Sequence, residues 1–181
     1  MLPGKHNVEN AVVAIGVALK LGIKPDQVKA AIANFKGVKR RFEYLVNTDN
    51  HIYIDDYAHH PEELKACFDA VRQLYPEKKL TVVFQPHLFS RTRDFADEFA
   101  KVLSTVDVLM LLEIYPAREL PMEGVNAQLL LDKIDLEDKE IVGKEEVLNR
   151  VKKEKPELLV TVGAGDIDTL IQPLKNIMSH A

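Results

Sequence analysis

Ile54-Asp55-Asp56-Tyr57-Ala58-His59-His60-Pro61 sets two carboxylates, a phenol and two imidazoles within six residues, between an apolar run and an amphipathic segment. Upstream, His51-Ile52-Tyr53-Ile54 has the β-branched and aromatic content of a strand. Downstream, Pro61 suits the first turn of a helix, and Glu62 and Glu63 complement the positive end of its dipole. The polar cluster is therefore expected on a strand-to-helix turn. Open α/β sheets bind ligands beyond the carboxyl ends of their strands, at turns of this kind. A plainer reading makes the aspartates helix caps and leaves the histidines solvated, but the density of reactive groups favours a site.

The same alternation continues towards the C-terminus. Leu64, Cys67, Phe68, Val71 and Leu74 mark the buried stripe of the helix after Pro61. Leu80 to Phe84 is a continuous apolar run, as in a strand buried on both faces. It ends in the polar loop Gln85-Pro86-His87-Leu88-Phe89-Ser90-Arg91-Thr92-Arg93, which enters a helix from about Thr92 to Leu103. Val106 to Glu113 reads as a second buried strand, ending in Ile114-Tyr115-Pro116-Ala117-Arg118-Glu119. A helix around Asn126 to Ile134, a short strand near Glu140 to Val142, a helix from Lys144 to Lys153 and a strand from Leu158 to Val162 follow. Gly163-Ala164-Gly165-Asp166-Ile167 opens the final helix. This pattern implies an α/β fold with a mostly parallel sheet flanked by helices on both faces. Right-handed crossovers put the carboxyl ends of the parallel strands on one side. Residues 55–60, 85–93, 113–119 and 163–166 are then expected along one rim.

Towards the N-terminus, Phe42 to Val46 and His51 to Ile54 read as a short hairpin around Asn47-Thr48-Asp49-Asn50. Before it, Val8, Ala11, Val12, Ile15, Ala18 and Leu19 follow helical spacing, with Asn7 as N-cap, and Gly22 ends that helix. Pro25 begins a second helix to about Phe35, with Val28, Ala31, Ile32 and Phe35 on one face. Two short helices cannot bury both faces alone, so this pair is expected to pack on something else. The connector Gly37 to Phe42 carries the boundary, which divides the chain into a helical pair (1–38) and a main domain (39–181).

At 181 residues the chain holds one sizeable core with room for an attached piece. An apolar fraction of 46% and a charged fraction of 29% fit a soluble globular protein. The net charge of −4 argues against non-specific nucleic-acid binding. Cys67 is the sole cysteine, so neither a disulfide framework nor a thiolate metal site is available, and a reducing cytoplasm is the expected compartment. No apolar run has the length of a membrane span, and the first residues do not form a signal peptide.

Three constellations carry chemistry. Gly163-Ala164-Gly165 resembles half of a dinucleotide fingerprint, but Asp168 stands where the third glycine belongs and the motif follows the last strand. Close backbone approach in a tight turn accounts for it better. Asp55, Asp56, His59, His60 and His87 are of the types that ligate a metal, although neighbouring pairs diverge and seldom share one ion. His87, Arg91 and Arg93 make a cationic loop at a helix entry, suited to a carboxylate by paired hydrogen bonds; pairing with Asp94, Asp97 or Glu98 is the alternative.

Taken together, residues 55–61, Phe84-Gln85-Pro86-His87 with Ser90-Arg91-Thr92, Ile114-Tyr115-Pro116-Ala117 and residues 163–167 resemble the Mur ligase family. Gly4-Lys5-His6-Asn7-Val8-Glu9-Asn10 is similar to the adenine-side motif ending that family's central ATPase domain, and Arg40-Arg41-Phe42-Glu43 to its junction with the last domain. The likeness covers nearly the whole chain. It implies three domains: one for the UDP substrate, a central ATPase with a phosphate loop, and a Rossmann-like domain for the amino acid. No Gly-x-x-x-x-Gly-Lys-Thr/Ser stretch occurs here. The resemblance therefore implies the last domain with a tail of the central one, inactive alone, its partners being the missing N-terminal and central domains.

The implied reaction is a step of peptidoglycan synthesis in the bacterial cytoplasm, without nucleic-acid or membrane partners. ATP phosphorylates the carboxylate of UDP-N-acetylmuramate, and the amine of L-alanine attacks the acyl phosphate. Mg2+ is held mainly by the missing central domain. The resemblance places His6, Asn7, Asn10, Arg41 and Asp56 at ATP, Tyr57 at the adenine or the reaction centre, His59 as a catalytic group facing the amino acid, and His87 and Arg91 at L-alanine, with no metal ligand in this chain. Leu88, where the family often has arginine, and Arg118, where glycine is common, depart from the pattern. Three alternatives stay open: a ligase adding a whole tripeptide in murein recycling, a metal-dependent phosphoesterase using the Asp/His cluster, and a non-catalytic binding module.

Overall fold

The apolar spacing before residue 35 folds into two helices, α1 (Lys5–Lys20) and α2 (Pro25–Asn34), in a computed structural model that describes residues 4–180, with the backbone alone at residues 5 and 6. Next come β1 (Glu43–Asn47), β2 (Ile52–Asp56) and α3 (Pro61–Leu74). They are followed by β3 (Leu80–Phe84), α4 (Phe89–Asp94), α5 (Ala96–Leu103) and β4 (Val108–Leu111). The chain ends in α6 (Ala127–Leu131), β5 (Lys139–Ile141), α7 (Lys144–Glu154), β6 (Leu158–Val162), a 3₁₀ turn (Asp166–Leu170) and α8 (Ile171–Ser179).

The strands form one sheet in the order β1-β2-β6-β3-β4-β5. Only the β1–β2 pair is antiparallel, joined by a hairpin in which Thr48 N–H donates to His51 O at 3.0 Å. Every residue of β2, β3, β4 and β6 is buried, as apolar runs covered on both faces require. Leu64, Phe68, Phe99, Leu103 and Leu130 seal one face. Val147, Val151, Leu174 and Met178 seal the other. Paired register sets Asp56 opposite Val162 and Phe84 opposite both Val162 and Leu111, so the ends of β2, β6, β3 and β4 are level. The loops after them share one rim, as the crossover argument requires.

Several local expectations change. β2 runs on to Asp56, so both aspartates belong to the strand and not to the turn. The helix expected from Thr92 to Leu103 is two helices, broken at Phe95, whose ring packs 4.6 Å from that of His60. The strand expected from Val106 to Glu113 shortens to β4. The helix expected to reach Ile134 closes at Leu131, its cap Asn126 accepting from Leu129 N–H at 3.0 Å. A 3₁₀ turn precedes the final helix. Asn7 is inside α1, because Gly4 takes the cap position and its carbonyl accepts from Asn7 N–H at 3.1 Å. Leu74, the last residue of α3, is 45% exposed. Val8, Val12, Val13, Val17, Leu21, Ile32 and Phe35 also remain exposed, as expected for a helical pair that cannot bury both faces.

Candidate functional site

At the end of β2 the two aspartates bond to Thr161, Arg40 and two backbone amides and, among the described residues, to none of the imidazoles. Asp55 accepts from Thr161 Oγ1 at 2.6 Å and from Arg40 Nε at 2.9 Å, fully buried. The Arg40 guanidinium also donates to Gly163 O at 2.7 Å, tying the linker to β2 and β6. Burial raises the Asp55 pKa, while Thr161 and Arg40 oppose the rise. Asp56 accepts from Phe42 N–H at 2.7 Å and Ala58 N–H at 2.8 Å, which locks the turn after β2. Neither aspartate caps α3. That position belongs to His60, whose Nδ1 accepts from Glu62 N–H at 3.4 Å. Glu63 closes the capping box, accepting from His59 N–H at 2.9 Å and His60 N–H at 3.3 Å.

The loop after β3 is clamped from two sides. Leu88 N–H donates to Tyr115 O at 2.9 Å and Tyr115 N–H to Pro86 O at 2.8 Å, a short parallel bridge joining His87 to Tyr115. Leu88 then takes a left-handed backbone (φ 74°) as it enters α4. Glu119 holds the start of α4, accepting from Ser90 N–H at 2.9 Å and from the Ser90 hydroxyl. These bonds hold Glu119 below the usual carboxylate range.

Across the rim the rings converge. His59 and His87 have centroids 5.9 Å apart, and His87 stacks on Tyr115 at 5.8 Å. Tyr57 meets His59 edge-on at 5.3 Å and lies under the guanidinium groups of Arg40 (5.2 Å) and Arg41 (5.6 Å). Arg91 Nη1 donates to His87 Nδ1 at 3.3 Å. Among the described residues no carboxylate lies within ion-pair distance of Arg91, whereas Arg93 is paired with Asp94 at 2.7 Å. Burial and Arg91 lower the His87 pKa. Beside the rings, Asn7, Asn10, Phe35, Val38, Arg41, Asp56 and Glu63 line a cleft of about 620 Å³ between the helical pair and α3. The His6 side chain lies outside the described residues.

No group of three or more His, Cys, Asp or Glu side chains could hold a metal ion among the described residues. Asp55, Asp56 and His60 each hydrogen-bond within the fold, to Thr161 and Arg40, to the Phe42 and Ala58 amides, and to the Glu62 amide. The glycines after β6 are explained by close approach. A Cβ at Gly165 would lie 2.6 Å from Tyr115 Cβ, and one at Gly163 would lie 2.8 Å from Gln85 O.

A model of the Mur ligase, glutamate ligase domain matches residues 40–165. The chain belongs to the Mur ligase family. A UDP-N-acetylmuramate–L-alanine ligase of Flavobacterium johnsoniae is 51% identical over 179 residues, covering 99% of this chain and 40% of that protein. One of the same description from Cytophaga hutchinsonii is 52% identical over 174 residues, 96% of this chain and 37% of that protein. The chain thus spans about two fifths of the length of these relatives. The solved UDP-N-acetylmuramate–alanine ligase of Thermotoga maritima superposes with a TM-score of 0.71 at 26% identity, over 99% of this chain and 38% of that one.

Within this Mur ligase domain, some site-building residues escaped the sequence reading. Gln85, in the loop after β3, braces the rim, donating to Asp166 Oδ1 at 2.7 Å and accepting from Ile167 N–H at 2.8 Å. Arg40 and Glu119 act through contacts 15 to 123 residues away in sequence, which no local spacing announces. Glu63 had a legible signal, since it stands three residues after a potential cap.

Proposed function

We propose that this chain is the amino-acid-binding part of an ATP-dependent ligase that joins L-alanine to UDP-N-acetylmuramate through an acyl phosphate. The reading rests on one observation above all. Arg91, with no carboxylate partner among the described residues, sits in contact with His87 and across from His59 on one rim. A guanidinium with free donors recognises a carboxylate through two parallel hydrogen bonds. Arg91 then holds the alanine carboxylate with His87, while His59 and Tyr57 face the reacting amine. The names of the 51% and 52% identical relatives support alanine as the amino acid.

The neighbouring cleft supplies the nucleotide side. Arg41 offers positive charge to phosphates, Asn7 and Asn10 offer amide groups, and Phe35 and Val38 offer an apolar wall. Asp56 borders the same cleft, which supports a place for it beside the ribose. ATP, when bound, supplies the phosphoryl group that activates the sugar carboxylate. Mg2+, held in this reading mainly by the missing central domain, would stabilise the transferring phosphoryl group. Residues 1–38 read as the tail of the central domain: Val8, Val12, Val13, Val17, Leu21, Ile32 and Phe35 are exposed, and the family match begins only at residue 40. The complete enzyme works on soluble bacterial precursors in the cytoplasm, and no described helix is long and apolar enough to cross a membrane.

The test is a titration of the complete enzyme with L-alanine, glycine and the muramyl tripeptide, each with ATP and UDP-N-acetylmuramate. Turnover with L-alanine at the highest kcat/KM is expected. Preference for the tripeptide would overturn the assignment.

A further inference from the structure

The two imidazoles of the rim are held through the same ring nitrogen by opposite kinds of partner. His59 Nδ1 lies 2.9 Å from Tyr57 O and 3.4 Å from Glu63 Oε2. A carbonyl and a carboxylate only accept, so this Nδ1 carries the proton. His87 Nδ1 lies 3.3 Å from Arg91 Nη1. A guanidinium only donates, so this Nδ1 carries a lone pair and the proton is on Nε2. Among the described residues no protein group holds either Nε2.

We infer that the pair is divided into a base and a donor. The lone pair on His59 Nε2 takes a proton from the ammonium group of the incoming amino acid, and His87 Nε2–H donates to its carboxylate beside Arg91. This deepens, and rests on, the ligase reading above. The step is a single proton transfer: one N–H bond of the ammonium breaks, an Nε2–H bond forms on His59, and the amine keeps the electron pair needed to attack an acyl phosphate. An amine that stays protonated has no such pair. The imidazolium so formed remains beside Glu63, which makes Glu63 a positioning residue. Its carboxylate orients the ring through Nδ1–H and the backbone through His59 N–H, and it faces the charge that appears. Its other oxygen lies 3.8 Å from Arg41, so the base and the nucleotide cleft share one anchor.

The test reads tautomers directly. Two-bond ¹⁵N–¹H correlation spectra of the histidine rings in this chain, at a pH where the rings are neutral, should show Nδ1–H for His59 and Nε2–H for His87. Two other rings serve as controls: His51, whose Nδ1 donates to Pro156 O at 3.1 Å, and His60, whose Nδ1 accepts from Glu62 N–H. Either site ring in the opposite tautomer overturns the division. In the complete ligase, His59→Gln and His59→Asn should both lower kcat by about 100-fold or more, since neither amide is a base. His87→Gln, whose amide nitrogen can stand in for Nε2–H, should retain about tenfold more kcat/KM for alanine than His87→Asn, a difference of about 1.4 kcal/mol. Equal loss in the two His87 variants, or full turnover in His59→Gln, sinks the inference. If the tautomers hold but L-alanine is not the substrate, the ligase reading falls and the ring assignment stands.

Discussion

Arg91 Nη1 stands 3.3 Å from His87 Nδ1, four residues earlier in the chain, and so presses a fixed positive charge against an imidazole. Burial and this charge together lower the His87 pKa below its ordinary value of 6.5. NMR titration should place the His87 midpoint below 6.5, and Arg91→Gln should raise it without reaching the value of a fully solvated ring, since burial remains. A His87 midpoint above 6.5 would contradict the contact.

The same guanidinium should separate the two small substrates kinetically. Arg91→Ala in the complete enzyme is expected to raise the KM for L-alanine by about 30- to 100-fold, the scale of a lost charge-assisted bidentate contact. The KM for ATP should change by far less. Steady-state kinetics with each substrate varied in turn decide it, and equal effects would remove Arg91 from the amino-acid site.

Arg40 is the partner of a carboxylate that sees no solvent. Arg40→Ala leaves Asp55 with Thr161 alone and should destabilise the chain by about 3–5 kcal/mol, the usual result of orphaning one member of a buried pair. Arg40→Ala with Asp55→Asn should recover part of that loss. Urea unfolding of the variants provides the measurement.

Gly165 faces Tyr115 where a Cβ would come within 2.6 Å of the tyrosine Cβ. Gly165→Ala is expected to cost about 1–3 kcal/mol by overpacking and to displace the His87–Tyr115 stack. Chemical-shift changes at His87 would report that displacement.

Acid sensitivity should carry the mark of Glu63. Burial pushes its pKa up, but the His59 amide, the His59 ring and Arg41 outweigh this, and the net value lies below the ordinary 4.5. A lowered carboxylate pKa gives stability that is present above 4.5 and is lost as pH falls through the folded value. Glu63→Gln should therefore flatten the acid limb of the stability curve while leaving the limb above neutrality alone, as denaturation midpoints against pH will show.

The alternation of apolar runs and amphipathic stripes was enough to read the parallel sheet and its common rim, because burial on both faces leaves β3 and β6 little choice of composition. Strand order was not legible: nothing in Leu158–Val162 says that it enters between β2 and β3. His59, His87 and Arg91 were legible as candidates because reactive groups stood densely on turns, and the fold brings them to one rim. The fates of Asp55 and Asp56 were not, since their partners Arg40, Thr161 and Phe42 come from other elements. The break at Phe95 was hidden for a similar reason. A continuous helical pattern gives way there to packing on His60.

β6 comes after the other five strands of the sheet in the chain, yet it lies third in strand order. Until Leu158–Val162 has left the ribosome, β2 and β3 have no mutual neighbour and each shows an open hydrogen-bonding edge. The sheet therefore closes only once residues 158–162 are available, and a chain truncated before Leu158 would yield two half-sheets prone to pair with other copies.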